Sequence, residues 1–405
     1  MSSKNVRFLI VAAFALPLLW LSAAAAYVNV ARSAPDNVIG GWPSNGFAYS
    51  AAADEVLRTE TERNNNIMPS RLDPRIGTLA RAAFRLEPMD ERAVRQIALI
   101  QAQENGKPFA RKTMVLASKI GRRDLIANMW LVEDYGRADN LPKVLEHLDF
   151  ALRTSGESRS VLMAALVQAM ASAEMVKQMR KLLANDPAWR YEFWSRVTEV
   201  KAPLENAVAL RIAVAGDGVD VPVDADQQLL RNLVHTGNYP YAFRLYRVLD
   251  AVDKPGNVAR QSVGFDSPAK WPPIDWQVSS EGAYSAWLNT DRKELEVSLL
   301  GQTDAVFAQR LVELAPGSYR LSGEISTSEP ALAKALSLSL ECAEAEGSKA
   351  WSTVLNFERA AAAKSVELTD GGCRYFWLNV RGAPAGRSVG YDAVFRSVTL
   401  VRSNG

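Results

Sequence analysis

Two cysteines and two histidines are all that this chain of 405 residues carries of the side chains that most often ligate transition metals or pair as nucleophile and base. Two thiols cannot build a four-ligand zinc site, and no CxxC is present. His147 and His235 lie far apart, each inside a helical stretch whose other residues read as packing, so a Ser/His/Asp triad has no suitable base. Nucleophile-elbow, HExxH, P-loop and dinucleotide-binding patterns are all missing. Charge of one sign is missing too. Lys+Arg 47 against Asp+Glu 45 leaves no basic field of the kind nucleic acid requires. Among the acidic residues nothing singles out a pair for glycoside hydrolysis, where the pair is defined by its spatial separation. No catalytic residue, cofactor or metal site is therefore expected, and the chain reads as a non-enzyme.

What is present begins at the N terminus. Lys4 and Arg7 precede an uncharged stretch from Phe8 to Ala31, 24 residues long. At 1.5 Å per residue such a helix spans a bilayer, and the basic residues before it keep the N terminus in the cytoplasm. The expectation is a single-pass inner-membrane segment over residues 8–31, with the bulk of the chain in the periplasm. The small residues Ser22 to Ala26 support the alternative of a cleaved signal peptide and a soluble periplasmic protein. Either reading exports the chain. Both cysteines, Cys342 and Cys373, lie in its last quarter, and a disulfide between them is expected in an oxidising compartment.

The organisation follows from composition and period. Residues 1–35 hold the anchor or signal, and 36–72 read as a linker rich in turn residues, with a short helix from Ala51 to Arg63. Residues 73–252 form a helical domain, 253–272 a second linker containing Pro272–Pro273, and 273–405 a β-domain. Helical stripes recur at i, i+3/i+4, i+7: Leu141, Val144, Leu145, Leu148 and Leu152; then Val161, Leu162, Ala165, Leu166 and Ala169; then Met175, Val176, Met179, Leu182 and Leu183. In DPAWRYEFWSRV the aromatics Trp189, Tyr191, Phe193 and Trp194 cannot all face one side of a helix, so one or two should be exposed. After Asp275 the period becomes two: Leu295, Val297 and Leu299; Leu336, Leu338, Leu340 and Cys342; Val394, Val398 and Leu400. Short strands separated by turns such as Ala315-Pro316-Gly317 predict an antiparallel β-sandwich. Cys342 shares the face of the three leucines and should point inward.

Two resemblances add to this. Leu116 to Arg122 followed by Ala127 and Leu131, and Leu233 to Tyr239 followed by Ala242, Leu245 and Tyr246, resemble the helix–turn–helix joint of tetratricopeptide repeats. An irregular helical bundle is the alternative, since no 34-residue period links the joints. The strands LEVSLLG, FAQRLVELAPGSYRLSG, LSLSLEC, GCRYFWLNV and YDAVFRSVTL, after Ile274-Asp275-Trp276-Gln277, resemble jelly-roll carbohydrate-binding modules. Such modules also accompany helical-repeat proteins of bacterial exopolysaccharide and O-antigen machinery. That resemblance implies a binding or scaffold protein of the cell envelope, its partners an envelope polysaccharide or polysaccharide-assembly proteins. A periplasmic protein–protein adaptor without glycan binding is the alternative, and a glycan-processing enzyme the third.

The candidate ligand residues are aromatic, because an indole face matches the apolar face of a pyranose ring. Trp271, Trp276, Trp287, Trp351 and Trp377 are five of the chain's ten tryptophans and all belong to its last third. In GCRYFWLNV, alternation puts Phe376, Leu378 and Val380 on one face and Tyr375 and Trp377 on the other. Trp377, Tyr375 and Trp276 are thus the expected ligand contacts. The competing reading covers that second face with a loop or with the helices.

Overall fold

The computed structural model describes residues 18–27, 30, 35, 39, 45–65, 67–154, 156–199, 203–253, 263–266, 268–300, 302–344, 351–369, 372–385 and 390–403. The chain divides into two compact units, residues 1–165 with 187–189, and residues 166–186 with 190–405. The uncharged segment 8–31 falls largely outside the described residues. Within it, residues 18–27 are helical and expose Leu18, Leu19, Trp20 and Leu21. Among the described residues no helix is long and apolar enough to cross a membrane.

The first unit is helical: α1 (Gly46–Arg63), α2 (Pro74–Leu86), α3 (Glu91–Asn105), α4 (Lys107–Ile120), α5 (Leu125–Arg137) and α6 (Leu141–Leu152), followed by α7 (Gly156–Ala169), whose last four residues belong to the second unit. Helix starts are written in the sequence. Asn45, Asp73, Asp90, Asp124 and Asn140 each accept a backbone N–H from the first turn that follows, an interaction of about 1 kcal/mol at an N-cap. Turns of one to four residues between α2 and α6 fold successive helices against each other, with α1 on α2, α3 on α4 and α5 on α6 the closest pairs. Small residues permit that approach. Ala80, Ala83, Ala98, Ala110, Ala117 and Ala127 are fully buried, and a Cβ added at Gly121 would lie 2.5 Å from Glu91 Cγ. Asp124 also faces inward, where Arg95 bridges it, at 2.5 Å, to Asp54 of α1.

The short helix expected from Ala51 begins at Gly46, and its Ala53 and Leu57 join the core of the first unit. One predicted stripe is displaced. Among the described residues of α7 the buried ones are Met163, Leu166 and Val167, followed by Met170 just past its end, while Val161 is 71% exposed. The helix is apolar on several sides, so the i, i+3, i+4, i+7 spacing fits two faces and only packing selects one.

The second unit continues with α8 (Ala173–Leu183), α9 (Arg190–Glu199), α10 (Leu204–Ala215), α11 (Val223–His235) and α12 (Tyr239–Asp253). Gly237 turns the chain between α11 and α12 with φ 74°, and Ala242 and Leu245 are fully buried beyond it. Of the aromatic cluster, Phe193 and Trp194 are buried, and Tyr191 is exposed with its hydroxyl donating to Asp220 at 2.9 Å. Trp189, in the first unit, donates its indole N–H to Asp149 at 2.9 Å.

A two-sheet β-sandwich completes the unit: β1 (Gln277–Val278), β2 (Tyr284–Asn289), β3 (Glu294–Leu299), β4 (Ala305–Glu313), β5 (Gly317–Thr327), β6 (Leu336–Cys342), β7 (Ser352–Asn356), β8 (Ala361–Leu368), β9 (Tyr375–Gly382) and β10 (Tyr391–Arg402). The front sheet runs β1-β4-β9-β6-β7 and the back sheet β2-β3-β10-β5-β8, with every pairing antiparallel. Leu295, Val297 and Leu299 from the back sheet meet Leu336, Leu338 and Leu340 from the front in one core. In β10 the period-two reading fails at one point. A register shift between Phe395 and Ser397 changes the parity, so Phe395 is fully buried and Val394 stays outside with half-buried character.

Candidate functional site on the front sheet

The outer face of the front sheet is fixed by alternation. In β9, Phe376, Leu378 and Val380 enter the core, which leaves Tyr375, Trp377, Asn379 and Arg381 pointing away from it. The register then aligns rows across the strands. Gln277 pairs with Gln309, Gln309 with Asn379, Asn379 with Ser339, and Ser339 with Val354. One step along, Leu311 pairs with Trp377, Trp377 with Glu341, and Glu341 with Ser352. Directly paired residues share a face, so a polar row lies beside a row that carries the indole of Trp377.

Side-chain hydrogen bonds join the groups around Ser339, at one end of the polar row. Asn379 Nδ2 donates to Ser339 Oγ at 3.2 Å and Arg381 Nε to the same oxygen at 3.0 Å. Ser339 Oγ in turn donates to Glu341 Oε1 at 2.7 Å, which also accepts from the Arg381 guanidinium at 2.9 Å. At the other end of the row Gln309 Nε2 donates to Gln277 Oε1 at 3.2 Å. Ser339 and Asn379 form the floor, 1% and 4% exposed. Gln309, Glu341, Arg381 and Trp377 are half-buried around them. The arrangement holds donors and acceptors in fixed positions beside an aromatic ring, which is what recognition of a polyhydroxylated ring requires.

The three aromatic residues selected from the sequence have separate fates. Trp377 stands on this face. Tyr375 shares its parity but is only 4% exposed, because Tyr239 and Phe243 of α12 lie against its ring, each at 5.4 Å between centroids. Burial and the neighbouring Glu313 push its hydroxyl above the usual phenol range. Trp276 is 3% exposed and belongs to the core, where Phe265 packs at 5.3 Å and Arg310 sits 5.7 Å from its ring centroid. Its indole N–H donates to the carbonyls of Val263 and Gly264, both at 3.2 Å. Neither Tyr375 nor Trp276 offers a ring face to a ligand, and both serve packing instead.

Gln277, Gln309, Ser339, Glu341, Asn379 and Arg381 are not singled out by the sequence alone, although the alternation of Ser339, Glu341, Asn379 and Arg381 with core residues is visible in it. Trp377-Leu378-Asn379-Val380-Arg381 and Ser337-Leu338-Ser339-Leu340-Glu341 alternate in strict period two, so each polar half leaves the core, and the pairing of β6 with β9 puts both on the face of Trp377.

Cys342 and Cys373 form a disulfide, Cα atoms 5.8 Å apart. Cys342, Glu344 and Cys373 are close enough to suggest a metal site. The sulfurs are bonded to each other, however, and the Glu344 carboxylate accepts the backbone N–H groups of Arg374 and Tyr375 at 2.5 and 3.1 Å. Beside the disulfide, a cavity of 620 Å³ is lined by Arg247, Glu313, Pro316, Thr369 and Arg374. Glu313 accepts from both arginines, from Arg374 at 2.7 and 2.9 Å, which leaves each guanidinium engaged. In the first unit a larger groove, 850 Å³, is floored by Leu57, Met68, Leu125, Ile126, Met129 and Trp130. His147, the buried histidine of that unit, donates from Nδ1 to Asn128 Oδ1 at 3.0 Å and stacks on Tyr135. Burial lowers its pKa below the usual imidazole range.

No family model matches the chain, and no curated protein matches it. A solved structure described as TmCBM61 in complex with beta-1,4-galactotriose is similar over 32% of this chain and 88% of that one, at 15% identity and a TM-score of 0.22. A likeness that distant decides nothing about the ligand of this chain, which is a helical protein ending in an antiparallel β-sandwich.

Proposed function

We propose that the sandwich binds carbohydrate on the outer face of its front sheet, and that the chain is a non-enzymatic binding and scaffold protein of the cell envelope. One observation carries this reading: a polar row aligned by strand register from Gln277 to Ser339, and hydrogen-bonded at its Asn379–Ser339 and Gln277–Gln309 ends, runs beside the half-buried indole of Trp377. Sugar hydroxyls both donate and accept, so amides, a serine, an arginine and a carboxylate held by one another suit them, while the indole takes the apolar ring face. The Cys342–Cys373 disulfide supports an oxidising location outside the cytoplasm. The role in polysaccharide assembly or export, with residues 8–31 as the export or anchoring segment, belongs to this same reading.

Few contacts on such a face support only weak binding, about −4 to −8 kcal/mol, or millimolar to micromolar affinity. Calorimetric titration of the full chain with soluble envelope polysaccharides tests it. Trp377→Ala and Asn379→Ala should each weaken binding about tenfold or more, since each removes a contact of roughly 1.4 kcal/mol. Failure of the unaltered protein to bind any envelope glycan would overturn the reading.

A second reading, an adaptor for another protein, is favoured by the groove of the first unit. Its floor is aliphatic, thioether and indole surface, a lining suited to apolar side chains of a partner. Loss of partner capture on Met129→Glu, with glycan titration unchanged, would support it.

A further inference from the structure

The charges on the front face cancel, and the cancellation is local. Among the described residues whose register places them on the outer side of the front sheet around Trp377, Arg381 and Glu341 are ionic, and they are paired at 2.9 Å. Gln277, Gln309, Asn379, Ser337, Ser339 and Asn356 around them are neutral amides and hydroxyls. The next charges lie at the end of the strands, where Glu313 meets Arg247 and Arg374, and where Glu344 accepts the backbone of Arg374. Two positive and two negative groups cancel there as well. In a chain with 23% charged residues, the described residues of this face carry no uncompensated charge and offer a ligand no ionic anchor.

We infer that the front face selects an uncharged saccharide, with neighbouring hydroxyls bridging the Arg381–Glu341 pair, and discriminates against sugars bearing carboxylate, phosphate or sulfate. This rests on the carbohydrate reading above. The physical reason is twofold. An anionic group placed on Arg381 must displace or sit beside the Glu341 carboxylate that already holds the guanidinium, and like charges in contact repel. A diol, by contrast, can accept from the Arg381 guanidinium and donate to Glu341 without breaking their contact.

The test uses the full chain and matched probes: soluble neutral glucan, galactan and mannan, each beside the same polymer oxidised at C6 to the polyuronate. Binding to at least one neutral polymer is expected, about tenfold or more tighter than to its polyuronate, and unchanged between 50 and 500 mM salt because no net charge is paired. Glu341→Gln should shift the preference toward the polyuronate and make that binding salt-sensitive, since Arg381 then stands uncompensated. Arg381→Gln should deepen the discrimination against the polyuronate. Circular dichroism of the two variants checks folding, and their opposite signs separate an electrostatic effect from a general loss of structure. If neither form of any polymer binds, the carbohydrate reading itself falls. Should the unaltered protein prefer a polyuronate, or lose its binding with salt, the carbohydrate reading stands and the inference of an uncharged ligand is wrong.

Discussion

Phe243 of α12 stacks on Tyr375 of β9, ring centroids 5.4 Å apart and planes 28° from parallel. The contact divides one strand face between two uses. Tyr375 is spent on holding a helix to the front sheet, with Tyr239 beside it and the Tyr239 hydroxyl donating to the Ala343 carbonyl at 2.8 Å. Trp377, two residues along the same face, stays half-buried. Parity alone predicts that both leave the core; only the packing of α12 tells which of them meets solvent.

Phe243→Ala should therefore destabilise the second unit by about 3–5 kcal/mol, the usual range for a buried aromatic truncated in a packed site. Phe243 is 2% exposed, so little relaxation can refill the space. Chemical denaturation of the variant checks the value. A loss below about 1 kcal/mol, the scale of a surface substitution, would show that α12 is not held through this ring.

His147 makes stability depend on pH. Its imidazole is buried among Tyr135, Phe150 and Asn128, and desolvation lowers its pKa from the ordinary value. The unfolded chain thus takes up the proton first. Stability from this group is complete above the ordinary imidazole value, about 6.5, and declines as pH falls from there toward the depressed folded value. Melting temperature measured from pH 8 to pH 5 should fall more for the unaltered protein than for His147→Gln, which has no proton to take up. Parallel curves would show that the histidine is not buried neutral.

Much of this was legible in the sequence, and the remainder has identifiable causes. Period two located the core of the sandwich at Leu295, Leu338 and Leu378 because one buried face per strand leaves no other register. Acidic and amide N-caps at Asp73, Asp90, Asp124 and Asn140 set helix starts that composition alone marks only as breaks. The parity of Val394 was not legible, since a bulge adds one residue without altering the pattern. The site was half legible. Trp377 is legible as an aromatic, whereas Ser339 and Asn379 gain their meaning only from strand order, which brings β6 and β9 side by side although 32 residues lie between Cys342 and Tyr375. Trp276 lies in the core, a placement that ring chemistry in the sequence does not distinguish from a platform.

The disulfide should contribute about 3–4 kcal/mol, through closure of a loop with a separation of 31 residues. Cys342→Ser with Cys373→Ser should then lower the denaturation midpoint of the second unit by a corresponding amount. Thiol labelling of the denatured, unreduced protein should find no reactive sulfur. Two labelled thiols in protein purified from an oxidising compartment would contradict the bond.

The two tryptophans that sequence reasoning treated alike should behave as opposites. Trp276 is fully enclosed, bonded through its N–H to Val263 and Gly264 and packed on Phe265. Its replacement by alanine removes a large core side chain and strands two carbonyls, for a loss of about 3–5 kcal/mol. Trp377 is half-buried on the outer face, paired across strands with Leu311 and Glu341. Its truncation removes less contact area from the folded state and should cost about 1–2 kcal/mol, while glycan binding weakens about tenfold or more. Parallel melts and titrations of Trp276→Ala and Trp377→Ala distinguish the roles. Trp276→Ala should melt far lower and, where still folded, bind as before. Were Trp377→Ala to melt as low as Trp276→Ala, Trp377 would be a structural residue and the front face would lose its platform. Were it to melt normally and bind glycan undiminished, the polar row alone would have to carry recognition, and the stacking role would be wrong.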